Sequence, residues 1–92
     1  MNEIDMHDSD LLKAVAGMVY RGTIRSFSWR LDSDRLVVVY LYDAEGPVCR
    51  IVETEDWQGG YVFEVYPHSN ETEGLAREIE ESLVRTSSEM TS

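Results

Sequence analysis

The sequence has one cysteine, two prolines and one lysine, and its longest apolar run, residues 36–42, is only seven residues long. A single thiol excludes an intramolecular disulfide or a cluster of thiolate ligands, and it is typical of a reducing compartment. Seven apolar residues are far fewer than the roughly 20 that span a bilayer, and the first residues lack the basic and apolar parts of a secretory signal. We therefore expect a cytoplasmic chain with no membrane partner.

The length of 92 residues is enough for one hydrophobic core and too short for two. Apolar residues make up 42% of the chain and nine residues are aromatic, which indicates a packed globule and not a disordered chain. We expect a single domain over residues 1–92, with frayed ends at residues 1–7 and 86–92.

Negative charge is concentrated at the two ends of the chain. The formal net charge is −10, of which residues 1–10 carry −4 and residues 69–92 carry another −4, so the central 58 residues carry only −2. Such a charge opposes direct binding of DNA, because phosphate backbones require a basic footprint. A basic protein surface is the better electrostatic partner.

The hydrophobic pattern predicts a helix, four strands and a second helix. Acidic residues at 8–10 precede helical spacing that ends near Gly22, and a second helix begins near Asn70, which has capping-box spacing with Glu73. Between the helices, four strand-like segments are separated by short polar turns. These segments are residues 23–31, 36–42, 47–52 and 61–66.

Short connections favour an antiparallel meander, because parallel neighbours need longer crossovers. Two amphipathic helices are enough to cover one face of the sheet, so we predict a two-layer α+β domain of the order α-β-β-β-β-α. The segment 36–42 is apolar on both of its faces and should be a central strand. Either the helices cover both faces of the sheet, or the second face meets a partner or a second copy of the chain.

The C-terminal helix supplies the first set of candidate contact residues. Its glutamates lie around the stripe formed by Leu75, Ile79 and Leu83, and they would form an acidic ridge that imitates a phosphate backbone or docks on an Arg- and Lys-rich surface. The alternative is a solvated helix face that only keeps the protein soluble. The candidate residues are Glu71, Glu73, Glu78, Glu80 and Glu81.

A second candidate is an acidic loop that contains one large aromatic side chain. Glu53, Glu55 and Asp56 lie beside Trp57, and a tryptophan among charged residues is typical of interface hot spots. The alternative is that Trp57 folds back over the edge of the sheet.

Arginine supplies seven of the eight basic residues, and five of the seven fall in or beside the predicted strands. Arginine suits bidentate recognition of carboxylate or phosphate, so these residues could form a second, positive patch. With 18 acidic residues in the chain, pairing with its own carboxylates is the favoured interpretation. The five residues are Arg21, Arg25, Arg30, Arg35 and Arg50.

Motifs for catalysis, phosphate binding or metal binding are lacking. The acidic residues and histidine at positions 5–10 match no EF-hand or zinc spacing, and glycines 59 and 60 form a turn without a phosphate-binding pattern. Cys49 has the apolar period-two setting of a buried, inert thiol, and His68 accompanies no nucleophile signature. We expect no catalytic residues, no metal and no cofactor.

In its size, its acidity and its lack of motifs, the chain resembles the small phage-encoded inhibitors that block host nucleic-acid-cutting systems, in particular anti-CRISPR proteins and anti-restriction DNA mimics. The five glutamates of the C-terminal helix carry this resemblance, with Glu53, Glu55 and Asp56 as a second patch. The resemblance implies that an acidic surface occupies the basic channel of a nucleoprotein complex and excludes DNA.

Two hypotheses follow. The first is a non-enzymatic acidic binding protein that inhibits or regulates a basic, nucleic-acid-handling complex. The alternative is an oligomerising adaptor or antitoxin-like module, which buries the apolar second face of the sheet and uses its acidic residues only for solubility.

Overall fold

The computed structural model describes residues 3–91, with the side chains of residues 3–88. The strands form one antiparallel sheet in the sequential order β1-β2-β3-β4. This arrangement confirms the predicted α+β architecture, α-β-β-β-β-α. The elements are α1 (Asp8–Tyr20), β1 (Ser26–Leu31), β2 (Val37–Asp43), β3 (Gly46–Glu55), β4 (Tyr61–Pro67) and α2 (Glu73–Thr91).

Both helices lie on the same face of the sheet and form the second layer. Helix α1 contacts β1, whereas α2 contacts β3 and β4. Because side chains alternate along a strand, Val39 and Leu41 of β2 and Ile51 of β3 point to this face, and all three are fully buried. They pack in one core with Met18 of α1 and Ile79 of α2. The opposite face of the sheet has no helix over it among residues 3–91.

Neither helix begins at the residue that the sequence predicted. Helix α1 takes His7 as its N-cap, and the Nδ1 atom of His7 accepts a hydrogen bond from the backbone N–H of Ser9 at 3.2 Å. Helix α2 begins at Glu73, whose carboxylate pairs with Arg77 and not with the backbone of Asn70. Within residues 3–91, neither helix is long and apolar enough to cross a membrane.

Strand β3 extends to Glu55, three residues beyond its predicted end. Register explains the extension, because Glu53, Thr54 and Glu55 pair with the first three residues of β4. Strand β2 lies between β1 and β3, as predicted for the segment that is apolar on both faces, and its pairing with β3 shifts between Leu41 and Tyr42.

Both ends of the described chain are packed, which corrects the expectation of fraying at residues 4–7 and 86–88. Ile4 is fully buried and exchanges two backbone hydrogen bonds with Phe63, at 3.0 and 2.9 Å. The Ser87 hydroxyl donates a hydrogen bond to the carbonyl oxygen of Asp5. The N-terminal segment is therefore bonded both to β4 and to the C-terminal helix. Residues 1, 2 and 92 lie outside the described part of the chain.

The packing of Ile4 predicts a loss of stability on truncation. We expect Ile4→Ala to lower the free energy of unfolding by about 2–4 kcal/mol, because a fully buried isoleucine leaves a cavity in the core. Urea denaturation followed by circular dichroism measures the change. Glu3→Ala, at the exposed neighbouring position, is the control and should change stability by less than about 0.5 kcal/mol. Equal effects of the two substitutions would show that the N-terminal segment is not packed.

Candidate interaction surfaces

Four glutamates of α2, with Glu71 just before the start of the helix, form an acidic surface around the sides of α2 that do not pack on the sheet. Ala76, Ile79 and Leu83 are buried at helical spacing, and this stripe fixes the orientation of the helix. The other side of the helix then projects into solvent. Glu71, Glu78 and Glu81 are exposed, while Glu73 and Glu80 are half-buried. These five residues are called the helix acidic surface below.

One ion pair neutralises part of this surface. Arg77 Nη2 lies 2.7 Å from Glu73 Oε1, and both side chains are largely exposed. It is the only ion pair formed among the side chains of residues 3–88. Glu81, which lies four residues after Arg77, forms no ion pair with it. The helix acidic surface therefore keeps four carboxylates without a cationic partner.

A shallow groove of 510 Å³ runs between α2 and the end of β4. Val65, Pro67 and Ala76 form its apolar floor. Its walls belong to the helix acidic surface and to Arg77. An arginine or lysine of a partner fits this groove. Its apolar stem would lie on the floor and its charged head would lie beside the glutamates of the walls.

Trp57 projects from a rigid turn between β3 and β4. The Asp56 carboxylate accepts hydrogen bonds from the backbone N–H of Gln58 at 2.9 Å and of Gly60 at 2.8 Å. Gly59 has φ +83°, a conformation that favours glycine, and a Cβ at Gly60 would lie 3.1 Å from Asp56 Oδ2. Trp57 is 88% exposed, so it does not fold back over the sheet. Its neighbour Glu55 is also exposed.

Glu53 does not belong to the acidic loop with which the sequence grouped it. It lies on the helix-covered face opposite Phe63, it is only 9% exposed, and its Oε1 atom accepts a hydrogen bond from the backbone N–H of Val37 at 3.2 Å. Burial, together with the nearby Asp8 carboxyl, raises the pKa of Glu53. Glu53 is a buried residue of the sheet, and it is unavailable to a partner.

The structure separates the remaining candidates into two places. The groove puts Glu80 and Glu81 beside Val65 and Pro67, at the end of β4, whereas Trp57 precedes the start of β4. Strand β4 has seven residues, so these places are about 20 Å apart along the strand. The helix acidic surface and the Trp57 turn therefore form two distinct surfaces.

A third surface is the open face of the sheet, which the sequence indicated as a possible contact with a partner or a second copy. The Arg30 guanidinium lies 5.7 Å from the centre of the Tyr40 ring and donates to the Tyr40 hydroxyl at 2.9 Å. The Arg50 guanidinium lies 5.3 Å from the centre of the Tyr66 ring, which is directly opposite it in register. Tyr42 shares the face and contacts Ser28 through its hydroxyl. The period-two alternation of β2 and β4 was the signal that could have identified its residues.

The arginines of the strand region do not pair with the chain's own carboxylates. Within the described residues, none of the five forms an ion pair, which corrects the favoured interpretation of the sequence. For Arg30 and Arg50 the physical reason is the alternation of the sheet, because a side chain reaches neighbours on its own face and the strands of the open face hold one acid, Glu64. The other three arginines lie outside the strands. That carboxylate accepts a hydrogen bond from the Tyr66 hydroxyl and raises its pKa. The charges of Arg30 and Arg50 thus remain available on the open face.

The thiol and the histidines have local, structural settings. Burial raises the pKa of Cys49 to about 12, so the thiol stays protonated and unreactive at neutral pH. His7 caps α1, and His68 lies exposed just after β4. The His7 Nδ1 atom also lies 2.9 Å from the exposed Ser9 hydroxyl, within the same helix cap.

Comparison of the chain with protein-family models, with curated proteins and with solved structures finds no match. Inference about function therefore rests on the three surfaces.

The raised pKa of Glu53 predicts a pH dependence of stability. The folded state holds this proton more tightly than the unfolded state does, so the stabilisation is complete below the ordinary value of 4.5 and is lost as pH rises through the raised value. Glu53→Gln should remove this dependence, because the amide oxygen still accepts from Val37 without a buried charge. We expect the variant to gain in melting temperature relative to wild type between pH 4.5 and 7.

Melting followed by circular dichroism across this range measures the difference between the two proteins. The exposed Glu55→Gln is the matched control and should follow the wild-type curve. A constant offset between Glu53→Gln and wild type at every pH would contradict the assignment.

Proposed function

We propose that this chain is a non-enzymatic binding protein that inhibits or regulates a basic, nucleic-acid-handling protein by docking its helix acidic surface on the site where nucleic acid binds. The observation that carries the proposal is the set of unneutralised carboxylates on the solvent side of α2. A basic channel attracts these carboxylates by the same forces that attract phosphates.

The density of the carboxylates supports mimicry of a phosphate backbone. Glu78, Glu80 and Glu81 lie within three residues of α2, or about 4.5 Å along the helix axis, and none has a cationic partner. Their negative charge is at least as dense as that of a DNA strand, which has one phosphate per about 3.4 Å. The groove beside them can hold the stem of a basic side chain. Occupation of the channel would then exclude DNA, as in the acidic inhibitors that the chain resembles.

The first test reverses charge on α2 and compares it with an equal reversal elsewhere. We expect the triple variant Glu78→Lys, Glu80→Lys and Glu81→Lys to lose at least about tenfold in affinity for its partner, because each reversal replaces an attraction by a repulsion. The matched control reverses three exposed acids outside α2, with the same change in net charge. These are Glu3, Asp34 and Glu45.

The partner is captured from a cell lysate on the immobilised chain, and the capture is repeated with competing duplex DNA and with increasing salt. Loss of capture with DNA, with salt and with the α2 variant, but not with the control variant, supports docking of the helix on a nucleic-acid site. Capture that neither salt nor DNA changes, or equal losses with both triple variants, would overturn the proposal. Circular dichroism verifies that both variants are folded.

A second candidate function uses the open face of the sheet as an adaptor surface. Tyrosine and arginine are enriched at interface hot spots, and the face carries Tyr40 and Tyr66 with Arg30 and Arg50 stacked on them. The sequence-based alternative assumed an apolar second face. The described face carries the buried valines Val38 and Val62 as well as the two tyrosine–arginine pairs. The exposed part is aromatic and cationic, which favours a partner with polar groups there.

Aspartate substitutions test this second function. We expect Tyr40→Asp with Tyr66→Asp to abolish capture of a partner that binds the open face, because each places a carboxylate beside an arginine and removes a ring. A partner of the helix acidic surface should bind this double variant as well as it binds wild type. Ser26→Asp, at an exposed position near the end of the same face, is the control for added charge.

A further inference from the structure

The two edges of the sheet are not equivalent. The β4 edge is occupied at its middle, because Ile4 forms a bridge to Phe63. The other edge is β1, and no segment among residues 3–91 pairs with its outer side. An uncovered edge strand is a template for another strand, and most proteins protect such edges with proline, lysine or a covering loop.

Alternation of hydrogen bonds shows which backbone groups of β1 are free to pair. Asp32 N–H donates to the carbonyl oxygen of Leu36 at 3.0 Å, and the register continues from this pair through β1 and β2. Bonded pairs of an antiparallel ladder occur at every second residue, so Arg30, Ser28 and Ser26 bond to β2. The N–H and C=O groups of residues 27, 29 and 31 therefore point outward from the sheet.

The side chains of these same three residues are apolar and lie on the helix side of the sheet. Phe27 packs against the core, but Trp29 is 53% exposed and Leu31 is 51% exposed. Strand β1 contains no proline, no lysine and no acid, and its one charged residue, Arg30, lies on the opposite face. The edge thus combines free backbone groups with exposed apolar side chains and lacks protection.

We propose that β1 pairs antiparallel with β1 of a second copy of this chain, around a two-fold axis at Trp29, so that two sheets join into one of eight strands. Each copy would then donate and accept backbone hydrogen bonds through residues 27, 29 and 31. The exposed apolar side chains would cover one another.

The sequence of β1 favours pairing with a second copy of itself, because the sequence is self-complementary around Trp29. In this register, Trp29 lies opposite Trp29 of the other copy, Phe27 lies opposite Leu31, and Ser28 lies opposite Arg30. No pair of like charges is created, and apolar residues meet apolar residues.

The neighbouring registers that keep the outward hydrogen bonds are worse. An axis at Arg30 would place this residue opposite itself, and an axis at Ser28 would place Leu31 opposite Arg25. Like charges directly opposite each other destabilise the first of these registers, and the second pairs the apolar Leu31 with a charged residue instead of with Phe27. The register around Trp29 is therefore the one that the side chains select.

Electrostatics also permits the contact. Each copy carries a formal charge of −10, but α2 and its acidic surface pack over β3 and β4, on the far side of the sheet from β1. The Arg30 guanidinium leans onto Tyr40 within its own sheet, away from the junction. Repulsion between the copies is thus long-range and is screened by salt.

The test measures molar mass by light scattering and sedimentation over a concentration series. We expect wild type to approach twice the chain mass of 10.6 kDa, with association strengthened by added salt. Trp29→Lys should stay at 10.6 kDa, whereas the matched control Trp57→Lys, at the other exposed tryptophan, should associate like wild type. A wild-type chain that stays monomeric at its solubility limit would overturn the proposal.

A charge pair tests the register and also guards against misfolded variants. Trp29→Lys and Trp29→Glu should each be monomeric alone, and an equimolar mixture should form a dimer, because position 29 faces itself across the axis. A misfolded variant would not regain association on mixing. Dimers of either variant alone would contradict the register.

Two further readouts distinguish the surfaces. The amides of residues 27, 29 and 31 should exchange hydrogen more slowly as concentration rises, while those of Ser28 and Arg30 should not change. If Tyr40→Asp dissociates the dimer and Trp29→Lys does not, the copies associate through the open face and the β1 proposal is wrong. We expect salt to weaken docking on a basic partner and not to weaken this dimer. The two proposals can therefore be tested separately, and one can be wrong while the other holds.

Discussion

Coverage of the sheet on one face only is the constraint on which the rest of the structure depends. Each helix buries three side chains against the strands, Leu11, Val15 and Met18 from α1 and Ala76, Ile79 and Leu83 from α2. Burial of such side chains stabilises the fold by about 1.5–3 kcal/mol each, and two helices supply enough apolar surface for one side of four strands. The other side has no helix over it, and there Arg30 and Arg50 stack on tyrosines beside the buried Val38 and Val62. Every surface described above follows from this division.

The same division separates the charges of the molecule. Carboxylates crowd the solvent side of α2, whereas Arg30 and Arg50 lie on the open face and stack on tyrosines. Arginine suits this role better than lysine, because its planar guanidinium stacks on an aromatic ring and stays charged. The sheet lies between the two sets of charges and keeps them apart. A partner therefore meets either an acidic helix or an aromatic, cationic sheet, and the two surfaces select different chemistry.

Periodicity predicted most of the fold, because each strand and helix repeats its own pattern in the sequence. Apolar residues on both faces predicted that β2 is a central strand, as the structure confirms. The residues whose burial the sequence did not predict are buried by contacts between segments that are distant in the chain. Glu53 is buried because the register with β4 lengthens β3, and Ile4 is buried because it pairs with Phe63. The number of acidic residues could not predict whether the arginines pair with them. An ion pair in the sheet requires that the arginine and the carboxylate lie on the same face.

One edge of the sheet is covered and the other is not, and this difference limits how many copies of the chain could join edge to edge. If both edges were uncovered, each copy could add a strand on either side, and a sheet could extend without end. Ile4 occupies the β4 edge at Phe63, so pairing is left to β1. A strand that pairs with itself around a two-fold axis closes after two copies, because the interface uses the same residues from both. In the proposed dimer, the packed N-terminal segment thus does more than stabilise the core, because it leaves β1 as the edge at which two copies pair.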